Sequence, residues 1–483
     1  MGGLKKRAVS SVKWTTFQTL VLASLAPIFQ IIKARYLSPK DFSYLAIIMI
    51  CIGLSNMLKN FGISQAIIQR SEITKEENST LFLFNIIFSI FLYILIFMFA
   101  DLIAKFFSLP DLAYFLKLSS IVIIVSSPSL LFKAFLEKSL FFKEISLVAI
   151  INNILIISIT TIFLICRLGL LSIIYGNLLS TLITTLMIIF ISHKYKLVNM
   201  KLYFNFKNLY PFLKFGFYIT AKQLLNFSSA HIDEVVIGHF LTPETLGFYY
   251  FGKNLLFGLR NLISAPFSKV IFPIFSKLKD NKEKLCLNYQ KLTKYIAIIA
   301  FPFFSGIALT SHLFVPLLFG EKWSGSIVVF QVMSIALIFA MLHANIASSL
   351  LYTFNKPNIA FNLEIVITSV YFFLLFIFAS KGMIIILLLF SMKIVTMFLM
   401  FQYFANKQIS YNFFTYLFNL KNIYILSIIM VLSIMIFQNC TLSLLNQLMQ
   451  LIGSIICGAV VYILSSLMLE RNTILELKSL VKM

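Results

Sequence analysis

Apolar segments long enough to cross a bilayer follow one another along almost the entire chain. A transmembrane helix needs about 20 consecutive, mostly apolar residues, and we place fourteen such segments in the sequence. They lie near 12–34, 42–66, 80–106, 113–136, 145–166, 169–192, 211–237, 245–273, 291–315, 324–352, 358–380, 383–405, 420–438 and 446–469. The connections are too short for a soluble domain. Since helices satisfy their own backbone polar groups in hydrocarbon, the pattern predicts an all-α polytopic membrane protein.

The composition excludes several other classes. Of 483 residues, 60% are hydrophobic and only 12% are charged, against about 25% charged in soluble domains. The formal net charge of +23 would suggest nucleic-acid binding on a soluble basic face. Here the cations are dispersed among apolar runs. We therefore expect the protein to lie in the lipid bilayer and to have no nucleic-acid partner. The five cysteines have no CxxC or Cys/His spacing, so we expect neither a disulfide framework nor a metal site.

Lysine and arginine alternate between successive loops. With the N-terminus placed in the cytoplasm, the inner loops hold about 20 of them and the outer loops about 5. This asymmetry predicts fourteen spans with both termini cytoplasmic. The basic start at residues 1–7 has the charge of a signal peptide, but no small-residue cleavage site follows the first apolar run. We interpret it as an uncleaved anchor.

An internal repeat divides the chain. Shifting the sequence by 204 residues lays 12–42 over 216–246, and the turn YLSPKDF then matches FLTPETL. Because six helices separate the two copies, the halves are parallel, and a binding site is expected between such halves. We predict two six-helix bundles related by a parallel pseudo-repeat, at 1–200 and 201–410. An accessory pair, helices 13 and 14, follows with a cytoplasmic tail at 411–483.

A polar stripe interrupts the apolar surface of the segment at 211–237. Lys222, Asn226, Ser229 and Asp233 fall at i, i+4, i+7 and i+11, so they share one helix face. A charge at the centre of a bilayer costs about 2.5–3.5 kcal/mol on insertion scales. A chain keeps such residues where they face a wet cavity or one another.

Five cations lie deepest in the predicted helices. They are Lys59, Lys222, Lys253, Arg260 and Lys393. Mid-depth acids are too few to neutralise them, so we predict a shared cationic cavity that binds an anionic substrate. The alternative is pairing with carboxylates inside or between helices. Lys133 and Lys269 lie nearer the cytoplasmic ends, where extension of the side chain to the interface is the simpler interpretation.

Acidic residues offer a coupling hypothesis. Asp233, beside Glu234, and Glu364 could bind H⁺ or Na⁺, because burial raises a carboxyl pKa. The alternatives are a gate salt bridge for Asp233 and pairing of Glu364 with Lys356 or Lys393. His231, His312 and His343 are scattered and fit hydrogen-bonded core positions. No catalytic triad, paired-carboxylate spacing or P-loop occurs in the sequence. We therefore expect no enzyme activity, no direct use of ATP and no cofactor.

Several motifs resemble the polysaccharide-transport branch (Wzx-type O-antigen and capsule repeat-unit flippases) of the MOP exporter superfamily. They are YLSPKDFSYLAI, FGISQAIIQR, DEVVIGHFLTPETLGFYYFGKNL, VIFPIFSKLKD and LFGEKWSGSIVVFQVM, within roughly residues 5–405. The resemblance implies two bundles around a central cavity and alternating access. It also implies a bacterial inner-membrane protein that moves undecaprenyl-pyrophosphate-linked oligosaccharide repeat units of O-antigen, capsule or exopolysaccharide. A polysaccharide polymerase and a chain-length regulator are the expected protein partners.

Three alternatives remain open. A lipid II flippase or an ion-coupled small-molecule exporter would share the superfamily fold, although an exporter of organic cations predicts an acidic interior. A membrane-embedded polysaccharide polymerase or ligase would carry a large outer loop, and the longest one here has only about ten residues.

Overall fold

The computed structural model describes residues 2–70, 72–198, 203–441, 444–471 and 473–476. In these ranges the chain forms eighteen α-helices, two short 3₁₀ segments and one π-helical segment, with no strand. The helices form two compact units, unit 1 (Met1–Gly247) and unit 2 (Phe248–Met483). The division predicted at 200 and 410 stays a prediction.

Unit 1 is built from nine helices and the first turn of a tenth. They are α1 (Gly2–Tyr36), α2 (Pro39–Asn60), α3 (Ile63–Gln69), α4 (Lys75–Phe106), α5 (Leu112–Ser119), α6 (Ile121–Lys138), α7 (Phe142–Ile165), α8 (Leu171–Lys194) and α9 (Phe206–Phe240). The closest packing joins α7 with α8, α6 with α8, α1 with α7, and α4 with α6. A buried cluster that includes Ile63, Leu81, Leu131 and Phe212 fixes α3, α4, α6 and α9 to one another.

A break between α2 and α3 lets α9 approach closely. Phe61 and Gly62 both have positive φ angles, 38° and 67°, which ends the regular helix after Asn60. At this point α9 presents Gly216, where an added Cβ would lie 1.8 Å from the Phe61 carbonyl oxygen. Contact with the Phe61 backbone therefore excludes any side chain at position 216. Small residues such as glycine allow membrane helices to pack this closely.

The two matching turns have the same local structure. Ser38 caps α2, where its hydroxyl accepts from the Asp41 backbone N–H at 3.2 Å. Thr242 caps α10 (Pro243–Leu278), where its hydroxyl accepts from the Thr245 N–H at 3.3 Å. In each case a proline occupies the first helical position, where no N–H is needed. The turns therefore agree with the proposed repeat, while the larger six-plus-six relation stays a prediction.

Unit 2 begins inside α10 (Pro243–Leu278), so the boundary between the units falls within one helix. Its other helices are α11 (Lys282–Phe319), α12 (Ile327–Leu342), α13 (Ser348–Thr353), α14 (Pro357–Phe378), α15 (Met383–Gln408), α16 (Phe413–Phe418), α17 (Lys421–Thr441) and α18 (Gln447–Leu469). A π-helical segment, His343–Ala347, joins α12 to α13. Such segments are frequent at functional sites.

The predicted accessory pair packs as a unit. α17 and α18 contact each other, and both contact α11. Pro302 inside α11 has no N–H and so leaves the Ile298 carbonyl without its helical donor. The Tyr462 hydroxyl of α18 donates to that oxygen at 2.9 Å. A polar side chain thus satisfies the backbone group that the proline frees, as a nonpolar environment requires.

Every predicted span falls on a described helical stretch. Thirteen stretches in the described ranges are long and apolar enough to cross a membrane. The remaining prediction, 211–237, falls on α9, which has 35 residues but is not among the thirteen because its polar stripe lowers its hydropathy. The all-α, many-helix prediction is confirmed, and the count of fourteen stays a prediction.

Candidate functional site

Lys59 lies in a polar cavity formed entirely by unit 1. Its side chain is only 4% exposed, and it occupies the last turn of α2, beside the break. Its Nζ donates to the Ser126 hydroxyl at 2.6 Å and to the Ile123 carbonyl oxygen at 3.4 Å. Within the described ranges no carboxylate lies within 4 Å of this ammonium. Its partners are therefore neutral.

The cavity around Lys59 has a volume of about 480 Å³. Polar side chains of α2, α3, α6 and α8 line it, including Asn56, Asn60, Gln65, Ser126, Ser129, Lys133, Glu137, Asn177 and Thr181. Four of them repeat along α6 at i, i+3, i+7 and i+11, which is the spacing of one helix face. Sequence reasoning identified Lys59 but missed this polar face of α6, although its spacing is close to that of the stripe on α9, at i, i+4, i+7 and i+11.

The stripe on α9 divides into an exposed and a buried part. Lys222 is exposed, whereas Asp233 and Glu234 are 2% and 1% exposed. The Glu234 carboxylate lies 3.1 Å from His231 Nδ1, and Asp233 Oδ1 accepts from the Glu234 backbone N–H at 3.0 Å. The structure therefore brings His231, expected at an ordinary core position, into a carboxylate cluster.

In unit 2 the buried lysines lie over aromatic rings. Lys253 Nζ is 5.5 Å from the centre of the Tyr249 ring, one turn earlier on α10. Lys393 Nζ on α15 is 4.6 Å from the centre of the Tyr371 ring on α14. Both distances fall within the range of cation–π attraction. Lys393 also lines a largely apolar cavity of about 270 Å³ between α14 and α15.

Arg260 belongs to the same interior. Its guanidinium carbon is 5.8 Å from the Phe257 ring centre, and its buried Nε has no hydrogen-bond partner among the described residues. The Phe257 ring also lies 6.3 Å from the ring of Phe390 on α15, one turn before Lys393. The structure therefore brings Arg260 and Lys393 to the same helix contact in unit 2.

Glu364 is half-buried on α14. In the described part of the chain no lysine or arginine nitrogen lies within 4 Å of its carboxylate. The salt bridges to Lys356 or Lys393 that were weighed for it therefore do not form in this structure. The side chain of Lys269 lies outside the described residues.

Two of the five predicted cations belong to unit 1 and three to unit 2. That all five share one cavity stays a prediction, as does the coupling role of Asp233 and Glu364. Lysine and arginine can hold an oxyanion electrostatically, and arginine can grip it with two parallel hydrogen bonds. These side chains suit binding and release of an anion rather than bond cleavage.

Comparison with known proteins gives consistent results. The family model described as "Polysaccharide biosynthesis protein" matches residues 32–328. The lipopolysaccharide biosynthesis protein WzxC of Escherichia coli is 28% identical over 364 residues, which is 75% of this chain and 73% of that protein.

Two solved structures share the fold. A lipid II flippase MurJ in an inward closed conformation is similar with a TM-score of 0.77 and 17% identity, over 96% of this chain and all of that one. An inward-facing multidrug resistance MATE family transporter of the MOP superfamily has a TM-score of 0.61 and 16% identity, over 80% of this chain and 94% of the other. The chain is a multi-pass membrane protein with this fold, and since the family model matches more than half of its length, it belongs to the polysaccharide biosynthesis protein family.

Proposed function

We propose that this protein is a flippase for undecaprenyl-pyrophosphate-linked oligosaccharide repeat units of O-antigen, capsule or exopolysaccharide. It moves them from the cytoplasmic to the periplasmic leaflet of the bacterial inner membrane by alternating access. Membership of the polysaccharide biosynthesis family and the name of the relative WzxC support the pathway. It is a transporter and not an enzyme.

The observation that carries the proposal is the state of the buried cations. Among the described residues the partners of Lys59 are neutral, and the buried Nε of Arg260 has no hydrogen-bond partner there. Burying a charge without an opposite charge is costly, so such a side chain needs an anionic ligand to offset that cost. A pyrophosphate crossing a bilayer needs cations for the same reason. Protein and substrate therefore have complementary charges.

Complementation of a bacterial strain that lacks its own repeat-unit flippase tests the proposal. The wild-type chain should restore surface polysaccharide and remove the lipid-linked repeat units that accumulate in the cytoplasmic leaflet. The strain must supply a matching repeat unit, so several strains with different repeat units are needed. If none is restored at matched membrane levels of the protein, the proposed substrate is wrong.

A lipid II flippase is the second candidate function. The fold similarity to MurJ over 96% of this chain favours it, and both substrates carry the same undecaprenyl pyrophosphate. Rescue of a strain depleted of its lipid II flippase distinguishes the two, because the proposed protein should not support growth there. A small-molecule exporter for organic cations fits the MATE-like fold but not the cationic interior, since like charges repel.

Ion coupling and partners form the finer part of the proposal. Asp233 or Glu364 binds the driving ion, H⁺ or Na⁺, and a polymerase with its chain-length regulator receives the translocated unit.

Both termini are cytoplasmic. Cysteine labelling should find residues 194–208, of which 199–202 lie outside the described residues, and 277–290 accessible from the cytoplasm. Residues 239–246 and 320–325 should be accessible from the periplasm. Labelling of 239–246 only from inside would reject the fourteen-span topology.

A further inference from the structure

The cavity around Lys59 has the dimensions of a ligand site. Its volume of about 480 Å³ falls within the range of roughly 300–1,000 Å³ that small-molecule pockets occupy. All of its lining residues belong to α2, α3, α6 and α8, so unit 1 forms it alone. Three of them carry charge: Lys59, Lys133 and Glu137. Two lysines and one glutamate make the cavity positive by one charge.

Lys59 supplies the strongest requirement for a ligand. Its side chain is 96% buried, and its two hydrogen bonds go to a hydroxyl and a backbone carbonyl. An ammonium has three donors, so one N–H is left over. Since no carboxylate of the described residues lies within 4 Å of Nζ, this part of the chain does not compensate the buried charge. An anion in the cavity would provide the missing charge and the missing acceptor.

Lys133 extends the positive region along α6. It lines the main cavity and also a second one of about 190 Å³, together with Gln18, Asn152 and Thr184. Glu137 lies one turn further along α6, yet in the described part of the chain its carboxylate is not within 4 Å of Lys133. Lys133 is exposed and lines both cavities, so its ammonium can reach a ligand there.

The neutral lining indicates a hydroxylated ligand. Hydroxyl and amide groups of Ser129, Asn60, Asn177 and Thr181 face the cavity, and such groups both donate and accept hydrogen bonds. The Gln65 side-chain oxygen is buried and has no hydrogen-bond donor within the described structure. A buried acceptor without a donor costs free energy, and a ligand hydroxyl would satisfy it.

We propose that this cavity is an anion site within unit 1, which binds an oxyanion carried on a hydroxylated group of the transported molecule. Lys59 and Lys133 hold the oxyanion, while the surrounding hydroxyls, amides and Gln65 hold the hydroxyl groups. The oxyanion belongs either to an acidic sugar of the repeat unit or to its diphosphate. This inference rests on the proposed function, because it assigns a feature of that substrate to the site.

Binding to the purified full-length protein in lipid nanodiscs tests the site without any flipping. The probes are glucuronate, inorganic pyrophosphate and neutral glucose, measured by calorimetry and by the shift in thermal unfolding temperature. Glucuronate or pyrophosphate should bind and glucose should bind far more weakly. Lys59→Gln should weaken anion binding at least about tenfold, and Lys133→Gln about three- to fivefold, as expected for loss of charge-assisted hydrogen bonds.

A matched control keeps the effect specific. Lys105 lies exposed at the end of α4, also in unit 1, and Lys105→Gln removes one positive charge without touching the cavity. It should leave binding unchanged. If Lys59→Gln impairs folding, Ser129→Phe fills the cavity while keeping both lysines, and it should also abolish binding.

The outcomes distinguish an acidic sugar from the diphosphate as the ligand, and they test the binding site separately from the flippase function. Tighter binding of glucuronate assigns the site to an acidic sugar, and tighter binding of pyrophosphate assigns it to the diphosphate. The unit 1 site is rejected if neither anion binds, or if Lys59→Gln, Lys133→Gln and Ser129→Phe all bind like the wild type. Complementation of a flippase-deficient strain by a protein that binds no anion in this cavity would reject the site alone. Anion binding without complementation would reject the flippase function alone.

Discussion

The two units hold buried cations in different ways. In unit 1, Lys59 donates to a hydroxyl and a carbonyl in a polar cavity. In unit 2, Lys253, Arg260 and Lys393 lie 5.5, 5.8 and 4.6 Å from aromatic ring centres. The described contacts of Lys59 are thus hydrogen bonds, whereas each of these three cations of unit 2 lies near a ring.

This difference has a consequence for binding. A ring face attracts a cation through its quadrupole. This contact does not hold an individual N–H group of the ammonium or guanidinium in a fixed direction. Hydroxyl and carbonyl acceptors use up individual N–H groups and fix the side chain. We therefore expect unit 2 to supply long-range attraction for an anion and unit 1 to supply oriented contacts. The predictions below test this division.

The largest expected effect concerns the acids, which also differ between the units. Asp233 is buried in unit 1, whereas Glu364 is half-buried in unit 2. If either binds the driving ion, Asp233→Asn or Glu364→Gln should abolish net flipping and leave substrate binding largely intact, because the substituted amide cannot take up H⁺ or replace a carboxylate charge at a Na⁺ site. Proteoliposome flipping under imposed pH and sodium gradients measures this.

The control for the acids is an exposed carboxylate. Glu244 lies in the first turn of α10 and is exposed, so Glu244→Gln should behave like the wild type. Unchanged pH and sodium dependence in both Asp233→Asn and Glu364→Gln would assign these acids to structure. An effect of only one of them would identify the unit that carries coupling.

The next effect concerns charge in each unit. Arg260→Ala and Lys222→Ala should each remove about 1–3 kcal/mol of charge-assisted binding, or about fivefold to more than a hundredfold in affinity. Surface polysaccharide in a complemented strain should fall sharply. Lys59→Ala, Lys253→Ala and Lys393→Ala should each reduce surface polysaccharide less than these two variants do.

Arg260→Lys distinguishes a requirement for positive charge from a requirement for the planar guanidinium. It should retain more activity than Arg260→Ala if charge alone matters, and no more if the planar guanidinium must grip two oxygens. Normal polysaccharide from Ala variants at all five cationic positions would show that the predicted cavity is elsewhere. The anionic-substrate proposal would then lose its physical support.

A smaller effect tests the ring beneath Lys393. Tyr371→Leu removes the aromatic face and should cost about 0.5–2 kcal/mol of interaction with the ammonium, seen as a lower thermal unfolding temperature and a severalfold loss of flipping. Tyr371→Phe keeps the ring and is the matched control. Equal behaviour of the two variants would show that the ring face does not stabilise Lys393.

Much of the fold follows from the sequence alone. Apolar segments of spanning length are a strong signal because every backbone group in hydrocarbon must be bonded within its helix. Each predicted span falls on one described helix or on consecutive helices. The break after Asn60 was not predicted. It depends on a close contact of Gly62 with Gly216, which lies 154 residues further along the chain, and such contacts leave no local pattern.

The site was only partly predictable for a similar reason. Buried charges such as Lys59, Lys253 and Lys393 stand out against apolar sequence, so their identification needed no structure. Their partners do not stand out, because Ser126 and Tyr371 are common residues in membrane helices. Which serine or ring lies beside a lysine depends on helix rotation and packing, and these are set by tertiary contacts.

The smallest expected effect concerns a third way of holding cations, seen at the end of unit 2. Lys294 on α11 donates to Glu470 at 3.1 Å, and Lys291 donates to Glu476 at 2.9 Å. Glu470 also accepts from Thr473 and Asn422 at 2.6 and 2.9 Å. These contacts join the segment after α18 to α11 and α17 through carboxylates rather than rings.

The carboxylates make this contact depend on pH. Burial raises the pKa of Glu470, but hydrogen bonds from Thr473, Asn422 and Lys294 lower it more, so its pKa lies below the ordinary value of 4.5. Hydrogen bonds from Tyr295 and Lys291 likewise lower the pKa of Glu476. A lowered carboxyl pKa contributes stability that is present above the ordinary value and is lost as the pH falls through the folded value.

The free energy of unfolding of the double variant Glu470→Gln/Glu476→Gln should therefore be lower than that of the wild type at pH 6–8, by on the order of 1 kcal/mol for these partly exposed pairs. Its thermal unfolding temperature should be slightly lower. The difference should shrink below about pH 4.5 and also at high salt, which screens exposed pairs. Glu72→Gln is the control, since Glu72 is exposed and has no ion-pair partner within 4 Å in the described structure. A difference that persists unchanged at low pH would mean that shape rather than charge joins the tail to α11. The ring-held cations should show no such dependence on carboxylate protonation, because an aromatic face does not titrate.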